Sequence, residues 1–297
     1  MERSIMPSLS VMKILLKELM TNEQVPRTPE PKLVMDDVDQ VEAYTQAGRE
    51  SGVMAPVYLF HATQICQVID SGDHVLDLAC GPANQLCMIA RLNPDCRFTG
   101  IDLSPTMLDQ ARALATEMGL SNVDFTAGSI TDLSGFGDKS VDCIMSTMAL
   151  HHLPDFDSLR CTMKESARIL KDGGGLYLAD FGRLKRGDSI EYFASQYKDR
   201  QHPLFTLDYL NSLHAAFTLQ EYERACAEAF DLRAKVFSTW MVPYMLATRT
   251  PPRRALPPRL AQALGAIQAD LPDYHKRDFS DLKTFFSLGG VKTPALG

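Results

Sequence analysis

The residues best placed to do chemistry are two carboxylates, each at the end of an apolar run. Asp77 lies in the run His74–Leu78, Asp102 closes the run from Arg97, and Gly81 stands in the turn after the first. A strand, a tight glycine turn and a helix leave backbone N–H groups free for a ligand. A carboxylate about 20 residues further on, at the tip of the next strand, suits the paired hydroxyls of a ribose. The spacing therefore predicts a nucleoside-binding site.

The turn itself, Ala79-Cys80-Gly81-Pro82-Ala83-Asn84, keeps a single glycine and follows it with a proline. A dinucleotide pyrophosphate demands G-x-G-x-x-G, so that the backbone can approach both phosphates closely. This turn is a poor phosphate cradle. It resembles the first motif of the class I S-adenosylmethionine-dependent methyltransferases, whose cofactor carries no phosphate. The resemblance continues in order along the chain. Gly128-Ser129-Ile130 stands where the family places an adenine-contacting turn. Val141–Ser146 reads as a fourth strand running into Ala149-Leu150-His151-His152-Leu153-Pro154, and Gly173-Gly174-Gly175 precedes a fifth at Leu176–Asp180.

The resemblance implies S-adenosyl-L-methionine as cofactor and gives individual residues their roles. Asp77, Ala79 and Gly81 would shape the pocket for the methionine portion, with Asp77 near its ammonium group, and Asp102 would accept from the ribose hydroxyls. Leu103, Met107 and Ile130 would pack on the adenine, and Ser129 replaces an acidic residue that commonly meets the adenine amino group. Met145 joins the cofactor contacts, although methionines at such positions often fill a core. Ala79 and Ala83 depart from the family pattern, standing where many relatives have glycine.

Methyl transfer from a sulfonium is an in-line displacement, for which a protein chiefly supplies alignment and a dry pocket. A general base is needed only where the acceptor enters protonated. His151 and His152 follow the fourth strand at the expected mouth of the site, and an imidazole there titrates near neutrality. Of the pair, His151 is the candidate expected to face the pocket. Asp180, at the tip of the fifth strand, is a second candidate for acceptor contact. Tyr44, His61, Tyr192 and His202 are candidates only by their presence in segments expected to cover the site.

The elements that must position these groups alternate between strand and helix. Strands are expected at 74–78, 97–101, 123–126, 141–146 and 176–180, and helices at 84–92, 105–118 and 159–170. Ser104 and Pro105 mark a helix start. After Phe181 an aromatic-rich insertion runs over 182–216, followed by a helix at 219–229 and strands at 232–237 and 241–247. The short link at 238–240 requires an antiparallel hairpin. The predicted fold is a doubly wound, Rossmann-like α/β core with a mostly parallel seven-stranded sheet, spanning residues 73–249.

Two helical extensions flank the core. Residues 1–72 form an N-terminal cap, with Val11, Leu15 and Leu19 at helical spacing, a connector from Pro26 to Pro31, and helix over 38–69. That cap is either a lid over the substrate or a packed helix. Residues 250–297 form a C-terminal helical tail, whose stripes Leu260, Leu264, Ile267, Leu271 and Phe279, Leu282, Phe286 suit core or dimer contact. A homodimer is compatible with those stripes.

With 297 residues and 45% apolar content, the chain can bury a large core. Its formal charge of −7 argues against generic nucleic-acid binding. Seven scattered cysteines without CxxC spacing suggest reduced thiols in the cytoplasm, and no run approaches membrane-spanning length. No HExxH motif or Cys/His cluster argues for a metal. The expected function is methylation of a small-molecule acceptor. Alternatives are a peptide, protein or RNA acceptor, a non-catalytic cofactor-binding scaffold, or an oxidoreductase that prefers NAD.

Overall fold

Strands sandwiched between two helix layers must be apolar on both faces, and the central strands here are. The computed structural model describes residues 9–32, 34–49 and 51–296. Its elements run α1 (Leu9–Met20), α2 (Val38–Ala47), α3 (Ala55–Ile65), β1 (His74–Leu78), α4 (Asn84–Leu92), β2 (Arg97–Asp102), α5 (Pro105–Glu117), β3 (Val123–Ala127) and β4 (Val141–Thr147). A 3-10 turn (Leu150–His152) leads to α6 (Phe156–Ile169), β5 (Leu170–Phe181), α7 (Gly187–Ser195), α8 (Pro203–Ala215) and α9 (Leu219–Phe230). The chain continues through β6 (Lys235–Ser238), β7 (Met245–Arg249), α10 (Pro258–Asp270) and α11 (Asp273–Leu288).

The seven strands form one sheet in the order β3-β2-β1-β4-β5-β7-β6. β1 to β5 pair in parallel, and β7 is antiparallel to both β5 and β6. Alternate residues feed opposite cores. Val75, Phe98, Cys143 and Tyr177 face α3 and α4, whereas Leu76, Ile144, Leu176 and Leu178 face α6 and α9. Strand order reverses between β1 and β4, which is where doubly wound sheets open a crevice at the strand carboxyl ends. No described helix is long and apolar enough to cross a membrane.

Helix starts follow local chemistry. Ser104 caps α5 through the Met107 N–H, Asp155 caps α6, and Thr218 and Glu221 form a reciprocal box at α9. Several expected boundaries move. β5 starts at Leu170, before the glycines, because Leu170 already pairs with Val141; Gly175 passes so close to Val68 that a Cβ there would lie 2.0 Å from its carbonyl oxygen. The hairpin link runs over 239–244 instead of 238–240, since Tyr244 leaves the ladder to stack on Phe193 at 4.2 Å. The helical region expected over 38–69 is broken into α2 and α3 around Gly48 and Gly52.

Both extensions pack on the core. Of the α1 stripe, Leu15 is buried, whereas Leu16 and Leu19 are exposed. Between α1 and α2 the chain runs as an extended strap. The tail's stripes are covered within the chain: Leu260, Leu264, Leu271, Phe279 and Phe286 are buried, and Phe286 stacks on Phe60 of α3 at 5.0 Å.

Candidate active site

The turn after β1 is built from left-handed residues, Ala79 (φ +53°), Gly81 (φ +52°) and Ala83 (φ +61°). Glycine adopts this conformation freely; the two alanines hold it against steric preference. The curl aims the Gly81 N–H at Asp102 Oδ2 (2.8 Å), while the Ser104 N–H donates to Oδ1 (2.8 Å). Each oxygen keeps acceptor capacity for a further partner. Burial raises the Asp102 pKa, and the N–H donors of Ser104 and Gly81 offset only part of that shift.

A solvent-open cleft of about 930 Å³ lies beside this carboxylate. Ala79, Gly81, Asp102, Leu103, Met107, Ser129 and Ile130 all line it. The strap closes one side: Val34 and Met35 line the cleft, and Asp36 accepts a hydrogen bond from Ser104 Oγ (2.7 Å). Tyr44 of α2 lines both the cleft and a smaller adjoining recess, where Tyr58, Asp77, Asn84, Gln85 and Thr147 gather. Asp77 is buried; desolvation first, and the Asp102 charge second, hold its carboxyl well above the ordinary aspartate range. Gln85 is buried there with neither amide atom hydrogen-bonded. Burial pushes Tyr58 up to about 12 and holds Tyr44 well above the ordinary phenol range, so both phenols stay protonated near neutrality.

Beyond Tyr44 lies a third cavity of about 1060 Å³, lined among others by Met54, Phe181, Phe193, Phe205, Tyr209 and Tyr244. Phe205 of its lining lies 6.0 Å, between ring centroids, from Tyr44 of the cleft. At the cavity's far side Tyr197 donates to Asp278 Oδ2 (2.6 Å).

The histidine pair sits on the 3-10 turn after β4, and its members face different surroundings. His151 is buried and lines none of these cavities; its Nδ1 bonds Asp180 Oδ1 at 2.7 Å. Asp180 is fully buried and accepts in addition from the N–H groups of His151 (2.7 Å) and Phe181 (2.7 Å) and from the Tyr222 hydroxyl (3.4 Å). His152, not the expected His151, reaches the cleft wall. Its Nδ1 lies 3.0 Å from Glu30 Oε2 of the strap. Burial disfavours the His152 imidazolium, but the hydrogen bond and charge of Glu30 outweigh it and its pKa is raised. Met145 is fully buried in β4 and also lines no cleft; Met148, three residues on, does.

Some functional neighbours carry no readable sequence signal. Arg27, inside the proline-bearing connector, donates to the carbonyls of Ala215 (2.7 Å), Pro154 (2.6 Å), His151 (3.0 Å) and Leu153, and lies over the Phe217 ring at 4.0 Å. Glu30 and Gln85 are likewise invisible, since neither belongs to a recognisable spacing. Of the candidates chosen by segment, Tyr44 lines the cleft and His202 caps α8. His61 is a buried core residue bonded to the Tyr177 hydroxyl (2.8 Å), its pKa pushed down to about 3 by burial.

A single-glycine turn, an acid at the tip of β2 and this strand order define a Rossmann-like domain with a crevice at the carboxyl ends of its strands. A methyltransferase-domain family model matches residues 75–174. The demethylmenaquinone methyltransferase of Listeria monocytogenes is 34% identical over 113 residues, 38% of this chain and 46% of the relative. The ubiquinone biosynthesis O-methyltransferase of Xanthomonas euvesicatoria is 27% identical over 180 residues, 61% of this chain and 73% of the relative. The match thus spans less than half of the first relative's length. A SAM-dependent methyltransferase from Aquifex aeolicus shares the fold with a TM-score of 0.51 at 17% identity, over 73% of this chain and 98% of that one. Over residues 75–174 the chain is thus similar to a methyltransferase domain, and its fold is shared with a SAM-dependent methyltransferase.

Proposed function

We propose that this protein transfers the methyl group of S-adenosyl-L-methionine to a small, apolar, ring-bearing acceptor held in the cavity behind Tyr44. The observation that carries this reading is the juxtaposition at Tyr44: a nucleoside-sized cleft and a polar recess on one side, an aromatic-walled cavity on the other. Relatives named for demethylmenaquinone and for ubiquinone biosynthesis accord with a ring acceptor.

On this reading Asp102 takes the ribose hydroxyls, and Leu103, Met107 and Ile130 pack on the adenine, with Ser129 beside them. Asp77 and the unpartnered amide of Gln85 complement the ammonium and carboxylate of the methionine end. The bound cofactor supplies an activated methyl group on a sulfonium. The chain then has to align the acceptor and exclude water. Tyr44 and Tyr58, neutral and hydrogen-bonded to each other, position without withdrawing a proton. The test is formation of S-adenosylhomocysteine with a panel of phenols, quinols and non-aromatic acceptors. Turnover confined to polar, non-ring acceptors, or to peptides, would overturn the assignment.

Asp77 gives this reading a proton signature. Its carboxyl pKa is raised in the free protein, and a neighbouring ammonium favours the carboxylate. Below that raised pKa, cofactor binding must therefore release a proton, and affinity falls as pH falls. Calorimetric titrations in buffers of different ionisation enthalpy are expected to differ for the wild type and to coincide for Asp77→Asn. Buffer-independent heats in the acidic range for the wild type would remove Asp77 from the ammonium site.

A further inference from the structure

An ion pair accounts for His152 and Glu30 but leaves a neighbour unexplained. His151 Nε2 is buried, has no hydrogen-bond partner, and stands 3.7 Å from Glu30 Oε1. That separation is too long for a hydrogen bond. It is close to the roughly 3.4 Å edge spanned by two ligands bonded at about 2.1 Å to one tetrahedral ion. One ring nitrogen each of His151 and His152 and a Glu30 carboxylate oxygen all lie within 4.8 Å of one another.

We propose that Glu30, His151 and His152 bind one divalent transition-metal ion of the zinc type, joining the strap to the turn after β4. Two imidazoles and a carboxylate are a donor set that zinc accepts and that magnesium, which prefers oxygen, does not. The surroundings are those of a built site. Asp180 accepts from His151 Nδ1 at 2.7 Å, which fixes the tautomer and turns the Nε2 lone pair toward Glu30. Ser212 Oγ donates to Glu30 Oε1 at 2.9 Å and orients that carboxylate. Asp208, also buried and held by Gln40 Nε2 at 3.0 Å, adds negative charge beside the cluster. His152 borders both the cofactor cleft and a second recess lined by Glu30, Lys32 and Asn211. The site thus sits between the core and the strap that covers the cleft. The ligands lie 121 residues apart in sequence (151 − 30), so no spacing motif announces them.

The experiment is a zinc titration of the chelator-treated full chain against a chromophoric competitor, with metal content measured in parallel. One zinc per chain is expected, with no comparable uptake of Mg²⁺. Glu30→Gln and His152→Ala are each expected to weaken binding at least about tenfold, and Asp180→Asn by about 10- to 100-fold through loss of the orienting bond. Cys161→Ser, which removes the exposed thiol, is expected to leave it unchanged. Zinc at about a hundredfold excess over Kd is expected to raise the wild-type Tm by about 5 °C. That shift needs no variant, so it decides the question even if a substituted chain fails to fold. Absence of zinc uptake or of the shift, equal affinity in Glu30→Gln, or binding lost only in Cys161→Ser overturns the site.

Discussion

Replacing Asp102 by alanine is expected to lower the affinity for S-adenosylmethionine and S-adenosylhomocysteine by about a hundredfold or more. The wild-type carboxylate holds the Gly81 and Ser104 N–H groups at 2.8 Å each and presents its remaining lone pairs to the cleft. Hydrogen bonds to a charged group contribute about 1.5–3 kcal/mol apiece, and two to a ribose diol account for the loss. The variant also frees the left-handed turn at Ala79–Ala83, so pre-organisation is lost with the contacts. Asp102→Asn keeps the shape without the charge and should fall between. Calorimetry with both adenosyl ligands and NAD checks it. An unchanged Kd for the adenosyl ligands would mean the ribose lies elsewhere.

The second large effect belongs to Asp180, and it concerns folding more than chemistry. Asp180 is fully buried and receives two backbone N–H groups, the His151 ring and the Tyr222 hydroxyl. Asp180→Ala leaves those donors without an acceptor, and losing one member of a buried network of this kind costs about 3–5 kcal/mol. Urea melts should show a midpoint far below the wild type with an unchanged slope. If the midpoint held while turnover vanished, the carboxylate would be touching the acceptor instead.

Much of the fold could be read from the sequence because its determinants are local. The alternating cores of β1 and β4, the Ser104 cap and the proline at the start of α5 depend on neighbours within a few residues. The turn after β1 was legible for the same reason: Gly81 follows β1, and Asp102 ends the adjacent β2. What escaped is what strap and core make together. Arg27 and Glu30 look like connector residues until the chain brings them to carbonyls and imidazoles near residue 151. The division of labour between His151 and His152 was hidden too, because their rings lie side by side, centroids 4.3 Å apart, and only their partners differ. One ring goes to Asp180 and the other to the cleft. Likewise Met148, at φ +54°, reaches the cleft where Met145 stays in the strand.

The stacking of Phe60 on Phe286 bears on how the chain reaches this structure. α3 is synthesised well before α10 and α11, yet part of its apolar surface is covered by them. Contacts between residues so far apart in sequence form slowly, after a large loss of loop entropy. Until then Phe60 and its neighbours lack their final cover, a condition that favours aggregation. A growing chain is therefore most vulnerable after its seven-stranded sheet has been made and before α10 and α11 have docked.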